Sequence, residues 1–188
     1  MTKSARTQTE RRAATQAAVL KSAVKLFGKN GYHQTSLEDI AADCGTTIRP
    51  IYHYYKNKKQ LFQAVTDHVE LKLVAELERV EQDPKLRGAI NNYWQAFIDM
   101  AKKPGFRQIV LVDSPHILGR ERWRDTPVVV KSTELIERMQ PNLNPAARQL
   151  FTRMLIGALT EAALVFAESE GQLEEGLLDG VFALLTSD

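Results

Sequence analysis

The sequence has few of the features that mark secreted, membrane-spanning or metal-binding proteins. Its 188 residues contain one cysteine, Cys44, which cannot form an internal disulfide and has no partner at the spacing of a zinc site. No apolar run is long enough to span a bilayer, and the N-terminus lacks the apolar segment of a signal peptide. We therefore expect a cytoplasmic protein with no membrane partner, no metal and no cofactor.

Signals for strands and for catalysis are also missing. No β-branched run alternates over six or more positions, and no Asn-Gly or Asp-Gly pair predicts a hairpin. The chain has no Gly-rich phosphate loop and no nucleophile–histidine arrangement at a recognised spacing. The pairs Asp113–His116 and Glu161–Thr160 fit a structural or solvated role better than acid–base catalysis. An enzyme is not expected.

Charge is distributed unevenly along the chain. Residues 1–60 hold 11 Lys and Arg against 4 Asp and Glu, whereas residues 61–188 hold 14 against 19. A basic first third on an acidic remainder predicts a polyanionic partner at one end of the molecule only.

The apolar periodicity is helical throughout and predicts an all-α fold of about nine helices. We expect a short helix to begin at a capping box formed by Thr35 and Glu38, and Asp83-Pro84 to open another helix. The remaining boundaries follow from cap, Gly and Pro signals. The predicted helices are 10–29, 36–43, 47–54, 58–82, 84–102, a short helix to 113, a helix over 114–140 that Thr126-Pro127 interrupts or restarts, 145–170 and 173–186.

Two short helices joined by a tight turn at Gly45, behind a longer helix, predict a helix-turn-helix over roughly residues 35–55. The apolar residues of both helices would fix their angle and leave the second helix free to enter the major groove of DNA. Donors suited to bases and phosphates surround that helix. The predicted DNA-binding residues are Thr35, Thr46, Thr47, Arg49, Pro50, Tyr52, His53 and Lys58.

The same segment resembles the TetR family of bacterial transcriptional regulators. The resemblance covers about residues 10–65 and is carried by Ala-Val-Lys-Leu-Phe at 23–27, Gly-Tyr-His-Gln-Thr-Ser at 31–36, Ile-Ala at 40–41, and the run from Gly45 to Tyr55 followed by Lys58-Lys59. It implies phosphate contacts at Thr35, Thr47, Tyr52 and Lys58 and base reading by the segment 46–53. It also implies a DNA-binding domain at 1–56 and a ligand-binding and dimerisation domain at 57–188.

Arg49 and Pro50 depart from the family pattern, which has a small residue at the first of these positions. Arginine can pair bidentately with guanine, so Arg49 is a candidate for base reading, with a phosphate contact as the alternative. Proline near a helix start is tolerated, and we expect Thr47 to accept a hydrogen bond from the Arg49 N–H. The basic arm of Arg6, Arg11 and Arg12 either reaches the minor groove or is mobile.

The last two helices are apolar on more than one face, which predicts a subunit interface. A dimer would present two recognition helices to a pseudo-palindromic operator. The expected interface residues are Phe151, Leu155, Ala158, Ala162, Phe166, Leu178 and Phe182. The resemblance further implies a small-molecule effector and, most often, repression, with an adaptor without ligand control or an activator as alternatives. Candidate effector contacts are Trp94, Phe97, Met100, Phe106, His116, Trp123 and Thr160.

Overall fold

A computed structural model of the chain describes residues 7–86, 90–119 and 125–168. The regular structure in these ranges is entirely helical, which confirms the all-α prediction. A π-helix, π1, covers Arg107–Asp113. The α-helices are α1 (Gln8–Asn30), α2 (Leu37–Asp43), α3 (Ile48–Tyr55), α4 (Lys58–Gln82), α5 (Ile90–Ala101), α6 (Pro104–Phe106), α7 (Ser114–Ile117), α8 (Pro127–Met139) and α9 (Pro145–Glu168). The helix predicted at 173–186 lies outside the described residues.

Side-chain caps set several helix starts where the sequence predicts them. Asn57 accepts a hydrogen bond from the Gln60 N–H at 2.8 Å and begins α4. Thr126 accepts from Val129 N–H at 3.2 Å at the start of α8. Each bond satisfies a donor that the first turn of a helix leaves unpaired. Gly45, with φ of +68°, occupies the turn between α2 and α3, where a left-handed conformation favours glycine.

The capping box of α2 lies one residue later than predicted. Ser36 is the N-cap: its hydroxyl accepts from the Asp39 N–H at 3.0 Å, and the Asp39 carboxylate accepts from the Ser36 N–H at 2.9 Å. Thr35 precedes the cap and is buried, with 1% of its surface exposed. The predicted capping pair of Thr35 and Glu38 was therefore wrong.

The region after α4 also differs from the expectation. Asp83 and Pro84 form a turn rather than a helix start, since the Asp83 carboxylate accepts from the Lys85 N–H at 2.9 Å and the Asp83 carbonyl from the Leu86 N–H at 3.0 Å. The predicted short helix before Ser114 is the π-helix π1, in which each turn holds more residues than in an α-helix.

One continuous hydrophobic core joins the first three helices to the rest of the described chain. Near its centre, the Phe27 ring packs edge-on against Phe62 of α4, with ring centroids 5.1 Å apart. At the end of α1 the backbones come very close, because a Cβ added to Gly28 would lie 2.9 Å from the Gly105 Cα. Helix α1, against which α2 and α3 pack, is thus fixed to α4 and α6.

Candidate nucleic-acid interface

Helix α3 presents two distinct faces. Ile51 and Tyr55 are buried, with 1% and 7% of their surface exposed, and they hold the helix against the core. The Tyr55 ring therefore belongs to the core and not to the outer surface. Arg49 and His53 are exposed on the outer side, and half of the Tyr52 surface is accessible. The packing of the inner face therefore leaves a guanidinium, an imidazole and a phenol free to contact a ligand.

The turn before α3 places two threonines beside that face. Thr46 is half-buried, and its N–H donates to the Ala41 carbonyl at 2.9 Å, which closes the turn after α2. Thr47 is the exposed N-cap of α3, but its side chain makes no capping hydrogen bond. The expected bond from the Arg49 N–H to Thr47 was therefore wrong. Pro50 is half-buried in the first turn of α3.

Thr35 has a role inside the fold instead of on the surface. Its hydroxyl lies 2.9 Å from the Gly31 carbonyl and 3.2 Å from the Leu26 carbonyl, both of which accept. With 1% of its surface exposed, the side chain closes the end of α1. A phosphate group could reach this hydroxyl only if the α1–α2 turn opened, so we leave Thr35 out of the candidate surface.

Lys58 begins α4 beside the same surface. Its ammonium lies 4.3 Å from the centroid of the Tyr32 ring, a cation–π distance. Burial lowers the pKa of Lys58, and the carboxylates of Asp113 and Asp39 act in the opposite direction. The start of a 25-residue helix adds positive potential at this point, because the first backbone N–H groups face outwards.

Polar contacts that sequence reasoning missed hold these elements in place. Asp43 at the end of α2 accepts from the Ser22 hydroxyl at 2.7 Å and pairs with the Lys25 ammonium at 2.5 Å. The Lys25 hydrogen bond, followed by that of Ser22, lowers the pKa of Asp43. The spacing of 18 and 21 residues gives no local signal, so only the folded chain brings the three groups together.

A second missed contact joins the helix-turn-helix to π1. The Asp113 carboxylate accepts from the Tyr32 N–H at 2.8 Å, across 81 residues of sequence. In the sequence, Asp113 is paired only with His116, three residues later, and nothing there indicates a contact with position 32. Because the donor is a main-chain group, no side-chain pattern at position 32 could have predicted it.

The predicted effector residues are not brought together in one place. Trp94 and Phe97 line an interior cavity of about 70 Å³. Met100 and Phe106 are buried but line a separate groove, and His116 is exposed. Thr160 is half-buried, and within the described chain its hydroxyl has no hydrogen-bond partner. Trp123 lies outside the described residues. The other cavity-lining residues are Leu73, Leu77, Tyr93, Val128, Ser132, Leu135, Ile136, Met139, Leu155, Ile156 and Leu159.

Helix α9 exposes large apolar side chains along its length. Leu150 and Met154 have 61% and 63% of their surface accessible, Phe151 39% and Val165 45%. Of the other predicted interface residues, Ala158 is exposed, Ala162 is half-buried and Leu155 lies partly against the cavity. The side chain of Phe166 and the whole of Leu178 and Phe182 lie outside the described residues.

The described ranges lack two features of other protein classes. No helix there is long and apolar enough to cross a bilayer. In the same ranges, His, Cys, Asp and Glu do not gather in groups of three that could hold a metal ion.

Comparison with known proteins identifies the family. Residues 19–65 match the model of bacterial regulatory proteins of the TetR family, and residues 88–185 match a tetracyclin repressor-like C-terminal domain. The second match alone covers more than half of the chain. The protein belongs to the TetR family and is a transcriptional regulator with a DNA-binding helix-turn-helix.

Similar proteins span both parts of the chain. An HTH-type transcriptional regulator of Bacillus subtilis, YvaF, is 24% identical over 90% of this chain and 95% of its own length. The HTH-type transcriptional repressor NicS of Pseudomonas putida is 30% identical, but the match covers 52% of this chain and 47% of NicS. A TetR-family regulator from Pectobacterium atrosepticum superimposes with a TM-score of 0.69 at 27% identity, over 95% of this chain and 94% of the other.

Proposed function

We propose that the protein is a homodimeric repressor that binds a pseudo-palindromic operator and is released by a small molecule. Residues 1–56 would form the DNA-reading domain, and residues 57–188 the effector and dimerisation domain. The main support for DNA binding is the exposure of Arg49 and His53 on the outer face of α3, while Ile51 on the inner face is buried in the core. A helix fixed from behind in this way suits insertion into the major groove.

Arg49 and His53 are the proposed base-reading residues. Both lie on the exposed side of α3, and the arginine fork matches the O6 and N7 acceptors of guanine. The proposed phosphate contacts are Tyr52 on the same helix, Thr46 and Thr47 in the turn before it, and Lys58 at the start of α4. The free hydroxyl of Thr47 is suited to this role, because it is not used as a helix cap.

Dimerisation is proposed through α9. Leu150, Phe151, Met154 and Val165 expose apolar surface that water solvates poorly, and pairing with a second copy would bury it. Gly157 and Ala158, both exposed between them, would allow a second helix to approach closely. A two-fold axis at this surface would relate the two recognition helices as a pseudo-palindromic operator requires.

The interior cavity is the proposed effector site. Its lining is apolar apart from the hydroxyls of Tyr93 and Ser132 and the indole N–H of Trp94, and it contains no ionisable acid or base other than the tyrosine, so the effector would be uncharged and partly aromatic. A volume of about 70 Å³ is well below the roughly 300–1,000 Å³ of ligand pockets. Binding would therefore require α8 and α9 to separate from Trp94 and Phe97.

The small size of this cavity also favours a second candidate function, a DNA-binding protein without ligand control. The two functions differ in what an apolar compound does to operator affinity. Genomic footprinting would first find the operator, and transcription from the adjacent promoter would then be measured with and without the protein. Repression relieved by a compound supports the first function; stimulated transcription would identify an activator, and binding without effect an adaptor.

Variants on α3 test the reading surface directly. Arg49→Ala is expected to relax base preference at one operator position, by about 1–3 kcal/mol. Arg79→Ala removes an exposed arginine at the far end of α4 and is the matched control. If DNA selection returns the same preference at every position for Arg49→Ala, the residue does not read a base.

A further inference from the structure

A groove of about 510 Å³ opens where α1, α4 and the α5–α6 segment meet. Its volume falls in the range of small-molecule pockets, roughly 300–1,000 Å³. None of its lining residues belongs to the interior cavity. The lining residues are Val24 from α1, Val69, Lys72, Ala75 and Glu76 from α4, and Met100, Lys103, Gly105 and Phe106 from the α5–α6 segment.

The floor of the groove is apolar and fixed by the core. Val69, Met100 and Phe106 have only 3–4% of their surface exposed, so their positions are set by packing on the side away from the groove. An apolar body of a ligand would be desolvated on this floor.

The rim of the groove carries positive charge that the protein leaves unbalanced. Lys72 and Lys103 are both exposed, and among the described residues neither forms an ion pair. The Lys103 ammonium lies 3.1 Å from the Met100 sulfur, which is a weak acceptor. The carboxylate in the lining, Glu76, is neutralised by Arg79 at 2.9 Å.

His68 lies one helical turn before Lys72 on α4. Burial, followed by the Lys72 charge, lowers the pKa of His68. A positive potential at this rim would attract an anion from solution.

We propose that the groove is a second small-molecule site, which binds amphipathic organic anions, such as alkyl or aryl carboxylates. The apolar body would lie on Val69, Met100 and Phe106, and the carboxylate would lie at the rim between the two lysines. A ligand in the groove contacts α1 directly, whereas the interior cavity is lined from α4 onwards. The proposal is independent of control through the interior cavity.

Calorimetric titration of the full-length protein with decanoate, below its micellar concentration, tests the proposal. We expect saturable binding that weakens roughly five- to tenfold in Lys72→Gln/Lys103→Gln, because two partly exposed charge pairs are lost. The control Lys21→Gln/Lys85→Gln removes two exposed lysines that do not line the groove and should bind as the unmodified protein does. Decan-1-ol, which has the same chain without the charge, should bind more weakly and equally to all variants.

Three outcomes would overturn the proposal. The first is an absence of saturable decanoate binding, and the second is equal decanoate affinity in the groove variant and its control. The third is loss of decanoate binding in Ser132→Leu, a substitution that fills part of the interior cavity, with no loss in the groove variant. The last result would place the ligand in the cavity that the proposed function uses.

Discussion

Replacing Gly28 with alanine should destabilise the protein, although the same change stabilises most helices. Gly28 lies inside α1, where alanine is ordinarily favoured by about 0.8–1.0 kcal/mol. Here the new Cβ would be 2.9 Å from the Gly105 Cα, a backbone atom that cannot rotate away. Overpacking of this kind costs about 1–3 kcal/mol, because α1 and α6 must separate. The overpacking outweighs the helix preference for alanine, so we expect the free energy of unfolding to fall by roughly 1 kcal/mol.

The neighbouring glycine supplies the control for this experiment. A Cβ added to Gly105 would have its nearest contact at 3.9 Å, an ordinary van der Waals distance. Gly105→Ala should therefore keep the stability of the unmodified protein or raise it slightly. Thermal unfolding of both variants at equal protein concentration measures the difference, about 2–4 °C lower for Gly28→Ala in a chain of this size. If Gly28→Ala instead unfolds at a higher temperature than the unmodified protein, as it would in a helix with no close neighbour, the close contact with Gly105 is refuted.

Three further predictions concern polar groups near the helix-turn-helix. Lys58→Met should lower the slope of log operator affinity against log salt by about one unit per subunit, with Lys85→Met as control; an unchanged slope would exclude a phosphate contact. Asp113→Ala should lower the free energy of unfolding, measured in urea, by about 1 kcal/mol, because it removes the acceptor for the Tyr32 N–H. Asp113→Asn keeps an acceptor and should lower the free energy of unfolding by less, so equal losses in the two variants would contradict this role. Folding lowers the pKa of Asp43, so in acid the unfolded chain binds more protons at this carboxylate than the folded protein does. The contribution of Asp43 to the free energy of unfolding is therefore fully present above its usual pKa of 3.8 and is lost as the pH falls through the lower folded value. Acid titrations of stability should therefore be flatter for Asp43→Asn, and identical curves would show that Asp43 contributes nothing.

Signals that act within one helical turn were predicted correctly from the sequence. Asn57 and Thr126 cap the helices that follow them, and Gly45 forms the turn before α3. Each depends on neighbours three or four residues away, so the residue types alone are sufficient. The exposed side of α3 follows in the same way, because Ile51 and Tyr55 are spaced to share one buried face.

Features that depend on distant contacts were predicted poorly. Thr35 fits a capping box as well as Ser36 does, and the Leu26 and Gly31 carbonyls decide between them by using the Thr35 hydroxyl. Met100 and Phe106 have the residue types of a cavity wall, but they line a groove with residues of α1 and α4, whereas Trp94 lines the interior cavity. Likewise, no local pattern predicts that 107–113 is a π-helix.

The hydrogen bond between Asp113 and the Tyr32 N–H has a consequence for how such regulators diverge. Every amino acid except proline supplies the same main-chain donor, so position 32 can change its side chain without losing this attachment. The DNA-reading side chains of α3 can likewise change during evolution while the hydrogen bond between Asp113 and the main chain at position 32 is retained. An engineer grafting a new recognition helix would keep Asp113 and the buried Ile51 and avoid proline at position 32, and would vary only the exposed residues of this segment, which are Thr47, Arg49, Tyr52 and His53.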